Sequence, residues 1–485
     1  MIRSCAIVLA GACACAAAAA DWPQVGGNPQ HTNSTPDSPA PPYQVAWVAD
    51  FSPEQIYSAQ AVIAEGRVFQ TTLNGSLYAL DAATGKRLWH FKAGECVWGS
   101  AAAGTQADGA AGKVFVASWD GLVYGLDAAD GKVLWRHDAG EPISGSPCLA
   151  DGTLFIGTRK GTMLALGFDG TPKWKQPLSW HIFSTAAWDA GKVFVVTEDL
   201  FVHCLDAKSG KPLWRSEKLR GLTFREFYPV VHKGRVFVSV TPAEWLDGLN
   251  VRPFVWDPTP AVMDKYSTPI NPKQAGPNAP RRSLLRDGKL PPELDKAQQD
   301  LIRFYDEKPQ YQTFTVLKTA DGTPCYRPVH IYGSAGLQNV IMPPAVCSDG
   351  TLVMYCFMGG ARLARFDPEA NRWVDFLFEI GGTNNDESEF DSVGGSRVFS
   401  KNTMRENGVL DLATREFTPL PHPSGSATHV SVLPPQWCPS RDFSPRRLGG
   451  VDWHGEPVGM SPMPISGTRF FWMRQAQRLV AYEGR

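Results

Sequence analysis

One unit recurs along the first half of this chain and restricts what it can fold into. Ala79-Leu80-Asp81-Ala82-Ala83-Thr84-Gly85-Lys86-Arg87-Leu88-Trp89 returns as Gly125-Leu126-Asp127-Ala128-Ala129-Asp130-Gly131-Lys132-Val133-Leu134-Trp135. It returns again as Cys204-Leu205-Asp206-Ala207-Lys208-Ser209-Gly210-Lys211-Pro212-Leu213-Trp214, with a contracted copy from Ala165 to Trp174. Around each copy the signals keep one order: apolar strand, Gly turn, β-branched and aromatic strand, Asp-Gly or Asn-Gly turn, strand, a second turn, and a strand ending in Trp. Ser58 to Phe91 and Ser100 to His137 show it in full. The Asp can bond its own downstream backbone and the Gly takes the positive φ of a tight hairpin. The Trp offers a large apolar face to the seam between neighbouring sheets. Self-similar four-stranded units at this period stack radially into a β-propeller.

This Ala-Leu-Asp-x-x-x-Gly-x-x-x-Trp unit resembles the pyrroloquinoline-quinone-like β-propeller repeat, and Asp21-Trp22-Pro23-Gln24 resembles the opening of exported proteins of that group. The resemblance is specific from Asp21 to Tyr228 and decays beyond. Tyr228 to Val240 with Thr313 to Thr323 reads as a fifth blade split by an insertion, Pro343 to Phe376 as a sixth and Glu389 to Leu420 as a seventh. Ser461 to Gly484 supplies three strands of an eighth, and Gln44 to Ala49, with its own Trp47, supplies the missing fourth. Such closure removes exposed sheet edges and ties the two ends of the chain together. The expected fold is therefore all-β, a propeller of about eight four-stranded blades, with seven as the alternative count because the last two are degenerate.

Residues 1–20 read as a signal peptide: Arg3 makes a small positive start, Ala6 to Ala14 an apolar core too short to span a bilayer, and Ala18-Ala19-Ala20 a small-residue cleavage site before Asp21. Residues 21–485 are expected to form one propeller domain in the periplasm or outside the cell. Cys13 and Cys15 lack the large aliphatic residue usual three positions ahead of a lipidated cysteine. No later run is long and apolar enough to span a membrane as a helix. Lys plus Arg (47) balance Asp plus Glu (48), which gives no global pull toward nucleic acid or anionic lipid. Beyond the leader there is no Cys-Cys, Cys-x-x-Cys or Cys-x-x-Cys-His, and the seven remaining cysteines sit partly in strand patterns, where a thiol acts as a small hydrophobe.

In a four-stranded blade the second-to-third-strand loop and the connection to the next blade leave on the same face. Three long irregular segments sort to that face: the Pro-rich insertion 242–312, with one helix expected from Pro292 to Glu307, and the connections 377–388 and 421–460. Loops this long in a compact domain point to function. Residues entering the first strand of each blade should ring the channel mouth there: Tyr57, Trp98, Ser144, Phe183, Glu226, Asn339, Glu389 and Met460, with His181 and Arg225 beside them. Aromatic faces, carboxylates, an amide and a cation together suit a polar ligand.

The resemblance implies two functions of different class. The first is a noncatalytic exported scaffold, similar in fold to the lipoprotein scaffold of outer-membrane barrel assembly, docking an exported or membrane protein or a small polar ligand. The second is a dehydrogenase of alcohols or sugars, in which pyrroloquinoline quinone would sit over calcium with Glu226, Asn339, Glu389 or Asp391 as candidate partners. The adjacent-cysteine pair that such enzymes carry against the quinone is missing from this sequence, so no catalytic or metal residue carries over. Asn384 to Glu389 is acidic but lacks calcium-loop spacing.

Overall fold

The computed structural model describes residues 19–56, 59–221, 223–224, 227–240, 292–328, 343–357, 361–380, 390–401, 408–414, 416–421, 462–474 and 477–485. They form an eight-bladed β-propeller. Blades one to four are four-stranded antiparallel sheets, the first running Val62–Ala64, Arg67–Thr71, Ser76–Asp81 and Arg87–Lys92. Blade eight pairs Gln44–Asp50 from the start of the chain with Arg478–Glu483 from its end, so the closing strand lies where the repeat placed it. No helix among the described residues is long and apolar enough to cross a membrane.

The Trp of each repeat is a seam residue with a repeated geometry. Indole N–H groups of Trp47, Trp89, Trp135, Trp174 and Trp214 each donate to a carbonyl of the following blade, on Ala82, Ala128, Phe168, Ala207 and Thr319, at 2.9–3.1 Å. The indole also covers the turn glycine of that blade: a Cβ on Gly131 would lie 2.6 Å from the Trp89 ring. A bulge precedes each Trp, so that Leu80 pairs with Arg87 and Ala79 with Trp89, leaving Leu88 unpaired. The bulge turns the Trp into the seam and extrudes its neighbour, which is why Leu88, Leu134 and Leu213 are among the exposed large apolar residues.

Gly131→Ala should therefore cost about 2–4 kcal/mol, since it adds a left-handed backbone penalty at φ 76° to a steric clash. Gly140, at φ 73° with open space around it, carries the backbone penalty alone. Gly140→Ala should cost about 1 kcal/mol, and urea midpoints of the two variants test the difference.

Blade five departs from the repeat. Its three strands are Val230–His232, Arg235–Ser239 and Phe314–Lys318, and residues 324–327 complete it through a bridge from Leu317 to Pro324. Tyr326 takes the place of the seam Trp, its hydroxyl donating to Pro368 O of blade six at 2.5 Å. The insertion leaves between the second and third strands, and its ends are joined by Val240 N–H donating to Thr313 O at 3.1 Å. Its helix spans Pro292–Glu307; Phe304 and Tyr305 are buried, and Arg327 pairs with Asp306 at 3.0 Å. Blade six also differs from expectation. Its last strand, Arg372–Ile380, runs past Phe376 into the stretch read as a connection, because pairing with Ala361–Asp367 continues to Ala361↔Ile380.

The segment after Ala20 has no counterpart in the repeat. Trp22 exchanges both backbone bonds with Ile63 of blade one, and Pro23 O accepts from Ala103 of blade two. Gln24 acts as a strand residue through its side chain, donating to Leu149 O and accepting from Leu149 N–H of blade three. Pro29, Gln30, Thr32 and Asn33 carbonyls then accept from Trp188, Val231, Val346 and Val393 of blades four, five, six and seven. Ser34–Thr35 adds a parallel strand to Phe390–Gly394, and Asp37 reaches Gly467 of blade eight. Trp22, His31 and Asn33 have no solvent exposure, so this segment is a plug that closes one end of the axis.

Candidate ligand site at the open mouth

The plug bonds the first strands beside their short hairpins, such as Glu65-Gly66, where Glu65 N–H donates to Asp21 Oδ1. In blades one to four the opposite end of the axis is reached by the second turn of the blade and by the connection that enters it. These two kinds of loop are stitched together by one recurring bond. Leu73, Trp119, Arg159 and Glu198, the second residues of those turns, donate their N–H groups to Gln55, Cys96, Pro142 and His181 carbonyls of the connections. Carboxylates reinforce the clasp: Glu54 accepts from the Thr72 and Ser76 hydroxyls at 2.8 and 3.0 Å, and Glu141 accepts from Thr158 and Thr162. In blade four the same place is held by His203, whose Nε2 lies 3.0 Å from Thr197 Oγ1 and 3.2 Å from Ser179 Oγ. Burial pushes His203 down to about 4, so the ring sits between the two hydroxyls in its neutral form.

Above this clasp five side chains form a ladder across blades two to four. The Arg159 guanidinium carbon sits 4.6 Å from the Trp119 ring centroid and 4.3 Å from that of Phe183. His181 lies parallel to Phe183, at 5.9 Å and 5°, and Trp180 packs on His181 at 5.1 Å. His181 Nδ1 faces Arg159 O, which only accepts, so Nδ1 carries a proton and donates it. Trp180, at the outer end, is 54% exposed. The two ring contacts favour the cation.

Below the ladder the first strands begin in close contact. Ser100 N–H donates to Ser146 Oγ, and Ser146 N–H to Thr185 Oγ1, at 2.8 and 3.0 Å. A Cβ on Gly145 would meet Ser184 O at 2.9 Å, so small residues are required and a ligand over these blades must rest above this ring.

Of the residues expected at the mouth, the structure brings His181 and Phe183 into the ladder. Ser144 is buried and donates to Phe183 O at 3.4 Å, a positioning contact. Trp98 is half-buried in the connection before blade two. Tyr57, Arg225, Glu226, Asn339, Glu389 and Met460 lie outside the described residues, as do the insertion up to residue 291 and the connection 422–461. Trp119 and Arg159 were missed. Their signal is positional: Leu73-Asn74-Gly75, Trp119-Asp120-Gly121 and Arg159-Lys160-Gly161 occupy one turn of successive repeats, and a large side chain there must project onto the open face.

Residues 43–144, 90–179 and 168–251 each match the family model described as outer membrane protein assembly factor BamB. No curated protein matches this chain by sequence. Among solved structures the chain is similar to quinohemoprotein alcohol dehydrogenase ADHIIG from Pseudomonas putida HK5, at 12% identity over 96% of this chain and 80% of that one, with a TM-score of 0.55. It is similar to quinohemoprotein alcohol dehydrogenase from Comamonas testosteroni at 14% identity, over 83% of this chain and 73% of that one, with a TM-score of 0.50. A computationally designed protein, Ika8, matches at 9% identity over 88% of this chain and 96% of its own, with a TM-score of 0.52. At these identities the likeness is one of fold.

Proposed function

We propose, from the premise that this chain is an eight-bladed β-propeller of pyrroloquinoline-quinone-like repeats, that it is a noncatalytic exported scaffold which docks a protein or a small polar ligand at its open mouth. The observation that carries this reading is the asymmetry of the axis. One end is filled by the plug, and the other presents the Trp119–Arg159–Phe183–His181–Trp180 ladder. A cation against two rings, with an exposed Trp at the end of the same ladder, is the composition that anchors recognition surfaces. The match of the repeats to a family described as an assembly factor supports partner docking, whereas fold by itself transfers no activity.

The dehydrogenase alternative draws on the quinohemoprotein neighbours and would require pyrroloquinoline quinone and a calcium ion. Among the described residues no three His, Cys, Asp or Glu side chains converge as a metal site, and the side chains of Glu226, Asn339, Glu389 and Asp391 are outside that set. No reaction step is derived through the quinone.

Mixing the purified mature protein with quinone and calcium should give neither bound-quinone absorbance nor dye reduction by alcohols or sugars. Saturable binding with turnover would sink the scaffold reading. In the complementary experiment, a partner captured from an extracytoplasmic extract by the wild type should be retained at least about tenfold less by Arg159→Ala. Its own stability should fall by only about 1–2 kcal/mol, two cation–π contacts' worth. Equal capture by both forms would remove the ladder from the docking surface.

A further inference from the structure

The plug makes a full circuit, and its two ends meet. Ala20 N–H donates to Asp37 Oδ2 at 2.8 Å, and the same oxygen accepts from Gly467 N–H of blade eight at 2.5 Å. Ala19 lies over that hairpin, where a Cβ on Gly467 would come 2.9 Å from the Ala19 Cβ. Asp37 thus joins the beginning of the plug, its end and the last blade, and no Lys or Arg among the described residues pairs with it. A carboxylate at this junction receives two neutral amides where one cation would complete it.

We propose that the chain is processed between Ala19 and Ala20, and that the α-ammonium formed there pairs with Asp37 and locks the plug onto blade eight. This rests on the export reading and moves the expected boundary by one residue. Both bonds have alanine at the first and third positions before the cut, Ala19 and Ala17 in one case, Ala20 and Ala18 in the other, so the leader pattern does not choose between them. The fold does. Cutting before Asp21 discards the Ala20 nitrogen and leaves Asp37 Oδ2 with Gly467 alone. Hydrolysis of the Ala19–Ala20 amide by a signal peptidase consumes one water, leaving a carboxylate on Ala19 and, in the same place as the former amide, an ammonium on Ala20. Closure of the propeller is then completed by removal of the leader.

The full-length chain, expressed with its own leader in a Gram-negative host, is recovered from the extracytoplasmic fraction for intact mass and N-terminal sequencing. Ala20 is expected first. Any other first residue overturns the proposal while leaving export standing, whereas a retained leader overturns both. Urea midpoints of the mature protein from roughly pH 7 to 10 give the second readout. Pairing raises the ammonium's pKa in the folded state, so its contribution is full below the unfolded value of about 8 and is lost as pH rises through the folded value. The wild-type midpoint should fall over that range and the Asp37→Asn midpoint should not. Mature protein selectively acetylated at its α-amine, which keeps Asp37, should behave like Asp37→Asn and serves if that variant fails to fold. Parallel pH profiles for the amine and its acetylated form overturn the pairing.

Discussion

Trp22→Ala should lower the stability of the whole propeller by about 3–5 kcal/mol, the range for truncating a fully buried aromatic side chain. Trp22 has no exposed surface; its backbone is paired with Ile63 in both directions, and its ring lies 3.1 Å from where a Gly27 Cβ would be. It also belongs to the core that joins blade one to blade eight, with Trp47, Tyr78, Phe470 and Tyr482. The substitution therefore leaves a cavity at the point where the ring of blades closes. Because the plug touches the first strands of seven blades and the first hairpin of the eighth, the loss should appear as one cooperative shift in the urea midpoint with an unchanged slope. A biphasic transition, with the first blades melting apart from the rest, would mean that the plug does not couple them.

Acid should destabilise the protein well above the carboxylate range. Burial lowers His31 to about 4 from 6.5, with the Pro229 carbonyl opposing, and lowers His203 to about 4 as well. The unfolded chain takes up these protons as pH falls below 6.5, while the native state refuses them until about 4. Stability is thus full above pH 6.5 and is lost between 6.5 and 4, by about 3 kcal/mol for each histidine. His90 and His232 are lowered too, burial again the leading cause, and add in the same direction. The turn aspartates Asp81, Asp169, Asp206 and Asp321, held below their usual range by Thr or Ser hydroxyls, act only at lower pH. Urea unfolding at pH 7.5 and 4.5 measures the loss. His31→Asn, which tolerates the φ of 57° at this position, should remove about half of what the two buried rings contribute. An unchanged pH dependence in that variant would show that His31 is charged in the native state.

The open face was partly legible. His181 and Phe183 were placed at the mouth because a connection entering a first strand must emerge there, a consequence of strand alternation alone. Arg159 and Trp119 stand in hairpin turns whose local rule, a glycine three residues after the Thr or Ser, says nothing about the residue that points outward. Their meeting depends on the angle between adjacent blades, as does the contact of Arg159 with rings from blade two and from the connection to blade four. Tyr326 escaped for a related reason: a Tyr hydroxyl reaches the same carbonyl as an indole N–H, so the seam keeps its bond while the motif is lost.

The sequence by itself determined the blades, their seams, the closing strand Gln44–Asp50 and the position of the helix-bearing insertion, because turns and the strand period are local and recur in register. Only the tertiary structure decided the path of residues 20–37. That segment has almost no period of its own and takes its bonds, through backbone and side chains, from eight separate sheets, up to 430 residues away at Gly467. Local propensity cannot encode partners that exist only after the ring has formed. The plug is what makes one end of the axis part of the core, with Trp22, His31 and Asn33 fully buried.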